Sequence, residues 1–185
     1  MEYNKIITLK DGRSCTLRNG TAADAEGVLS VFIATHEQTD FLTTYTDEIN
    51  LTVDEESEFL DGKTNDDGGI EIIADIDGKI VGTAGIECIK NVDKLRHRAS
   101  FGISIDKESW GLGIGRGLTE SCIECAKKAG YTQLELEAVA DNESALALYR
   151  SVGFVEYGRN PKGFKSRISG WQELVLMRLE LGDGN

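Results

Sequence analysis

The chain has 185 residues, 40% of them hydrophobic and 28% charged, which supplies a sizeable core in a soluble globular protein. Its formal net charge of −12 argues against a nucleic-acid partner, since phosphate contacts need basic surface. No apolar run reaches the roughly 18 residues that span a bilayer, and the opening Met-Glu-Tyr-Asn-Lys lacks an apolar signal core, so a cytoplasmic location with no membrane partner is expected.

The opening reads as a hairpin, Ile6–Lys10 and Arg13–Arg18, around an Asp11-Gly12 turn. Thr21, with Asp24 three residues later, then caps a helix whose apolar face runs through Ala25, Val28, Leu29 and Phe32. Thr52 with Glu55 forms a capping-box signature for a second helix, to about Leu60. Residues 37–67 carry eleven acidic side chains and one basic one, Lys63. Such a stretch is either solvated surface or an attractor for a cationic substrate.

A second hairpin follows, Ile70–Ile76 and Lys79–Ile89, around Asp77-Gly78. Gly82 and Gly85 interrupt its second strand and suggest a bulge or a close backbone approach. A strand near Arg98–Ile105 leads to a helix from about Gly113 to Ala129, with Ile114, Leu118, Cys122, Cys125, Ala126 and Ala129 on one face. Cys122 and Cys125 form a C-x-x-C pair. Inside a helical pattern, with only His36 and His97 as histidines, they read as two small buried residues, and no metal is expected.

Tyr131–Val139 is a strand, Asn142–Ser151 a short helix closed by Gly153, and Phe154–Arg159 and Trp171–Leu181 the last strands. Two basic islands stand out: Lys90, Lys94, Arg96 and Arg98, then Arg159, Lys162, Lys165 and Arg167. With no repeat or linker, 1–185 reads as a single domain. The order of elements predicts an α/β (α+β) fold: a mixed sheet with helices on both faces.

The run Gly111-Leu112-Gly113-Ile114-Gly115-Arg116-Gly117 opens a helix after a strand, the context for binding an anion on free backbone N–H groups. Neither register gives the third glycine of G-x-G-x-x-G, and no G-x-x-x-x-G-K-[ST] is present. The spacing alone leaves open a ligand-free helix start with permissive glycines.

The stretch Ile103 to Arg116 resembles the central motif of the GCN5-related N-acetyltransferase (GNAT) superfamily, a strand followed by [QR]-x-x-G-x-[GA]. Trp110 stands where the family usually has Gln or Arg. Downstream, Asn142 to Phe154 matches N-x-x-A-x-x-L-Y-x-x-x-G-F without a gap, and Leu17 to Asp24 is similar to the usual family start. The resemblance covers nearly the whole chain and is weakest over 37–69.

The resemblance implies the GNAT acyl-CoA N-acyltransferase fold, a mostly antiparallel sheet with two splayed parallel strands, Arg98–Ile105 and Tyr131–Val139. It implies acetyl-CoA as co-substrate, its pantetheine arm along Ile103, Ser104 and Ile105 and its pyrophosphate on Gly111, Leu112, Gly113, Ile114, Gly115 and Arg116. Asn142 resembles the family's cofactor-contacting Asn, a position where a helix N-cap is equally served. Tyr149 resembles its general acid, a phenol protonated at neutral pH that can donate to the coenzyme A sulfur. As general base, Glu137 matches a catalytic Glu of some members. Glu87 is the second candidate, while His97 sits in a basic loop and a water chain could also serve.

The implied activity is acetyl transfer to a primary amine by direct attack in a ternary complex. The runner-up is a coenzyme A-binding sensor or scaffold. The acidic 37–67 stretch lies where the family lines its acceptor site. A cationic acceptor is therefore expected (a polyamine, an amino acid, an aminoglycoside or a peptide α-amine), with Asp54, Glu55 and Glu58 as its steering charges. A homodimer through the last strands is plausible for the family.

Overall fold

The computed structural model describes residues 1–182. In chain order the elements are strands β1 (Asn4–Thr8) and β2 (Ser14–Asn19), helices α1 (Ala25–Gln38) and α2 (Val53–Thr64), and strands β3 (Ile70–Ile76), β4 (Lys79–Cys88) and β5 (Arg98–Ile105). They continue with α3 (Ile114–Lys128), β6 (Gln133–Val139), α4 (Glu143–Ser151), β7 (Val155–Ser166) and β8 (Gly170–Glu180). Among the described residues the strands form one eight-stranded sheet in the order β1-β2-β3-β4-β5-β6-β8-β7. Its pairs are antiparallel except β5 with β6.

Strand alternation decides which helix covers which face. Ile72 and Ala74 of β3 join a core with Ile114, Leu118 and Cys122 of α3 and Leu146 and Tyr149 of α4. Ile73, between them, points the other way and packs with Ala25 and Val28 of α1 and Leu60 of α2. The expected mixed sheet with helices on both faces is what the sequence folds into.

The parallel pair is short. Arg98, Ala99 and Ser100 match Gln133, Leu134 and Glu135, and the ladder stops there. From Phe101 to Ile105, β5 stays hydrogen-bonded to β4, and from Leu136 to Val139, β6 stays bonded to β8. The sheet therefore splits between these two segments. Backbone groups of 101–105 that would complete a ladder are left facing an open cleft.

Both readings of the glycines in β4 hold. Ala74 pairs with Gly82 and Asp75 with Ile80, leaving Val81 as an extra residue in a bulge. A Cβ on Gly82 would stand 2.9 Å from the Ser104 carbonyl oxygen, so β5 also approaches closely there. The last hairpin is longer than its sequence suggests: β7 continues through Pro161 and Gly163 to Ser166. An edge strand tolerates a proline, and a register shift between Asn160 and Phe164 absorbs the irregularity. Helix α2 likewise runs a turn past Leu60, to Thr64.

Cys122 and Cys125 are buried free thiols on α3, as expected of small core residues. Burial pushes the Cys125 thiol up to about 11, so it is no thiolate at neutral pH.

The start of α1 is fixed by an ion pair. Arg18 of β2 donates to Asp24 from both terminal guanidinium nitrogens, at 2.8 and 2.7 Å, and the Thr21 N–H donates to the same carboxylate at 2.9 Å. The Arg18 hydrogen bond, foremost, lowers the Asp24 pKa to about 2. A carboxylate depressed on folding contributes stability that is present above its unfolded pKa, near 3.8, and is lost as pH falls through about 2. Chemical denaturation between pH 5 and 2 should show this loss in the wild type. In Arg18→Met the Asp24 contribution should be largely gone already at pH 5.

Candidate active site

On one side of the split lies the glycine run. β5 ends at Ile105, a short 3₁₀ turn Lys107–Ser109 follows, and α3 begins at Ile114. Gly111 and Gly113 take φ of +77° and +100°, the left-handed region that favours glycine. The Leu112 carbonyl accepts from the Lys10 N–H at 3.1 Å, which fixes the loop to the first hairpin. Helix α2 is capped by the Thr52 side chain and α4 by Asn142. Helix α3 has Gly113 at its N-cap, no side-chain cap and no acidic residue in its first turn. Its first N–H groups are left for an anion.

Trp110 is exposed, and its ring N–H donates to the Ile105 carbonyl at 2.7 Å. Arg116 lies on the exposed side of α3, donating to Ser151 Oγ at 2.8 Å and to Glu120 at 3.3 Å. Gly115 is a packing position: a Cβ there would stand 3.3 Å from both Ile105 and Leu148.

Tyr149 projects from α4 toward the split. Its ring meets Phe101 edge-on at 6.1 Å, and Phe101 is the first residue of β5 beyond the paired segment. The side chain is buried, and burial alone raises its pKa to about 12. The phenol is thus a proton donor across the neutral range. Asn142 caps α4, its side-chain oxygen accepting from the Ala145 N–H at 3.3 Å.

On the opposite face is a cavity of about 490 Å³ between the sheet and helices α1 and α2. Its floor is made by Thr83 and Gly85 of β4 and Ser100, Gly102 and Ser104 of β5. Gly85 faces Gly102 across the ladder. Its walls are largely apolar, including Phe32, Leu42, Leu51 and Phe59. His36 also lines it. Its Nδ1 is 2.7 Å from the Phe32 carbonyl, which can only accept, so Nδ1 carries the hydrogen and Nε2 is the free ring nitrogen.

Three carboxylates reach this cavity: Glu56, Glu71 and Glu87. Glu87 is exposed at the rim and paired with Lys63 at 3.3 Å. Glu71 lies across Gly85, where a Cβ would collide with its carboxylate. Burial first of all, against a hydrogen bond from Thr83 and the charge of Lys63, raises its pKa to about 7. Burial also raises the Glu56 pKa, with no opposing contribution.

Of the nominated bases, then, Glu87 is on the cavity wall. Glu137 stands exposed on β6, opposite Leu176 of β8, outside the cavity lining. Its neighbour Glu135 is taken by Arg98, at 2.7 Å to the second carboxylate oxygen. His97 is likewise exposed and outside the lining. Glu71 and Glu56 were not singled out from sequence. The signal available was the strand period, which places Glu71 and Ile73 on the face that α1 and α2 cover.

The acidic stretch is redistributed by the fold. Asp47 and Glu48 pair with Arg167, and Glu55 serves the Thr52 capping box. Asp54, Glu55 and Glu58 are exposed on α2, while Glu56 turns into the cavity.

Residues 32–154 match the Acetyltransferase (GNAT) family. The chain belongs to this family. It is 36% identical over 106 residues to the N-alpha-acetyltransferase RimI of Mycobacterium tuberculosis, a match covering 57% of this chain and 63% of that protein. The matches span 46%, 63% and 64% of the lengths of three curated relatives. Its fold superposes on a GNAT-family acetyltransferase from Streptococcus pneumoniae with a TM-score of 0.85 at 30% identity, covering 91% of this chain and 99% of that one. A putative acetyltransferase of Salmonella typhimurium, solved with its cofactor acetyl-CoA, shares the fold at 19% identity with a TM-score of 0.80, covering 91% and 94%. No described helix is long and apolar enough to cross a membrane.

Proposed function

We propose that this chain transfers the acetyl group of acetyl-CoA to a primary amine. The observation that carries this is the split between β5 and β6, with an uncapped helix start soon after β5, a cavity against the opposite face of β5 and a buried phenol beside Phe101. The free N–H groups of α3 and the unpaired edge of 101–105 fit a pyrophosphate followed by an extended amide-bearing arm. Gly111 to Arg116 would hold the former, Ile103, Ser104 and Ile105 the latter, and Asn142 would add a contact from the start of α4. When bound, acetyl-CoA supplies an activated acyl carbon and a thiol leaving group.

The chain's own residues do the rest. The β5 backbone at the split offers N–H groups for a developing oxyanion. Tyr149 holds a proton at its hydroxyl for the departing sulfur, and the cavity opposite positions the amine.

The test is thiol release from acetyl-CoA across a panel of amines, wild type against Tyr149→Phe. Turnover should fall about 10²-fold in the variant, with coenzyme A affinity within a few-fold of wild type. Tight coenzyme A binding with no turnover on any amine would instead identify a sensor.

A further inference from the structure

Five of the eleven charges of the acidic stretch, Asp40, Asp47, Glu48, Glu55 and Asp66, are spent on the fold. Asp40 accepts from Ser166 at 2.7 Å, and its carbonyl accepts from Gln172 at 3.0 Å. Arg167 holds Asp47 at 2.7 Å, and its own N–H donates to the Tyr45 hydroxyl at 2.7 Å. These bonds tie segment 39–48 to the tip of the β7–β8 hairpin. The same segment contributes Leu42 and Thr43 to the cavity wall, so part of the cavity has a pinned roof.

What remains inside is unusual. Glu56 is 7% exposed, and burial is the sole cause of its raised pKa, so no described side chain compensates it. No described buried polar atom is both sealed from solvent and without a partner, so its oxygens keep an opening, and the cavity it lines is that opening. A buried carboxylate with no partner is costly unless something binds it. Glu71 lies at the floor beside Gly85. The one Lys or Arg in the lining, Lys63, is held by Glu87 at 3.3 Å and lies over the Phe59 ring.

We propose that the acceptor is a compact apolar primary amine with no carboxylate of its own, its ammonium received by Glu56 and its proton taken by Glu71. This deepens the acetyl-transfer reading and rests on it. An amino acid's carboxylate would meet two acidic side chains and no free cation. An extended peptide would meet the pinned roof. In the proton step one N–H bond of R–NH₃⁺ breaks and its electron pair stays on nitrogen. An O–H bond forms on Glu71, giving R–NH₂ and a neutral carboxylic acid.

The groups facing Glu71 are Glu56 and Lys63 from α2, His36 from α1, Thr83 and Glu87 on β4, and Cys122 of α3 behind the sheet. The base works only when deprotonated, so kcat/KM should fall as pH drops through about 7.

The experiment compares 2-phenylethylamine, phenylalaninol, phenylalanine, spermidine and an alanyl hexapeptide at saturating acetyl-CoA. Phenylethylamine and phenylalaninol should exceed phenylalanine by about 10²-fold in kcat/KM, since like charges meet only in the last. Glu71→Gln should lower kcat about 10²-fold and remove the acid limb, which His36→Gln should keep. Glu56→Gln should raise KM about 10-fold, and calorimetric titration of phenylethylamine into coenzyme A-saturated protein should weaken equally. Thermal midpoints of both isosteric Gln variants should hold or rise, because a buried charge is removed.

Phenylalanine turning over as well as phenylethylamine, spermidine or the peptide as best acceptor, or unchanged kinetics in both Gln variants would sink this inference and leave acetyl transfer standing. Coenzyme A binding with no turnover at all would remove both.

Discussion

Gly113→Val should weaken coenzyme A binding by about 10²-fold or more, while Trp110→Ala should stay within a few-fold of wild type. Gly113 is the N-cap of α3 at φ +100°, where a β-branched residue is strained whatever space surrounds it. No heavy atom lies within 4 Å of a Cβ built there, so the fold has room for the side chain. The backbone does not. Relaxing the strain turns the peptide groups on either side of Gly113, and these lead into the uncapped first N–H groups of α3. Trp110 is 49% exposed and contributes one ring N–H bond to the Ile105 carbonyl, a surface contact worth about 1 kcal/mol. Its side chain replaces the Gln or Arg usual in the family, so under the proposed function recognition is expected to rest on backbone amides. Calorimetric titration of coenzyme A into both variants decides it. A greater loss from Trp110→Ala would mean that the indole, not the amides, is the main cofactor contact.

The sequence was most legible where one local interaction sets the conformation. Asp77-Gly78, at φ +53° and +84°, makes the tight turn between β3 and β4, and the Thr52–Glu55 box starts α2 where its residues say. Three features depended on tertiary context instead. β7 runs through Pro161 because an edge strand leaves that missing N–H without consequence, which no local pattern reveals. The roof over the cavity required knowing that Arg167 and Ser166 would meet Asp47 and Asp40, some 120 residues away. The acidic run was visible as a charge count, yet its direction was not. Glu55 and Glu58 are exposed while Glu56 faces inward, a distinction set by how α2 packs on Ile73 through Leu60. The strand period puts Glu71 on the same face as Ile73, and the packing of Ile73 with α1 and α2 shows which helices cover that face. Only the packed structure shows Glu71 lying across Gly85, where burial raises its pKa to about 7.

Gly102→Leu should abolish acetyl transfer to amines, by about 10²-fold or more in kcat/KM, while leaving the protein folded and able to bind coenzyme A. Gly102 sits on the cavity floor in β5, directly across from Gly85. Its φ is ordinary, and no heavy atom lies within 4 Å of a Cβ placed on it. A Cβ there meets open space, and replacing a strand glycine should hold or raise stability, by up to about 1 kcal/mol. The side chain grows into the cavity proposed to take the amine, on the face away from the α3 loop proposed to hold the cofactor. Gly85 does not permit the same experiment, since a Cβ there collides with the Glu71 carboxylate and crowds the Ile70 carbonyl oxygen at 3.2 Å. The contrast separates occlusion from misfolding. Gly102→Leu should keep the wild-type thermal midpoint or exceed it and hold coenzyme A within about threefold, yet fail to bind phenylethylamine in the calorimeter. If it transfers acetyl groups at the wild-type rate, the amine reaches the split by another route, and the cavity between the sheet and helices α1 and α2 is not the acceptor site.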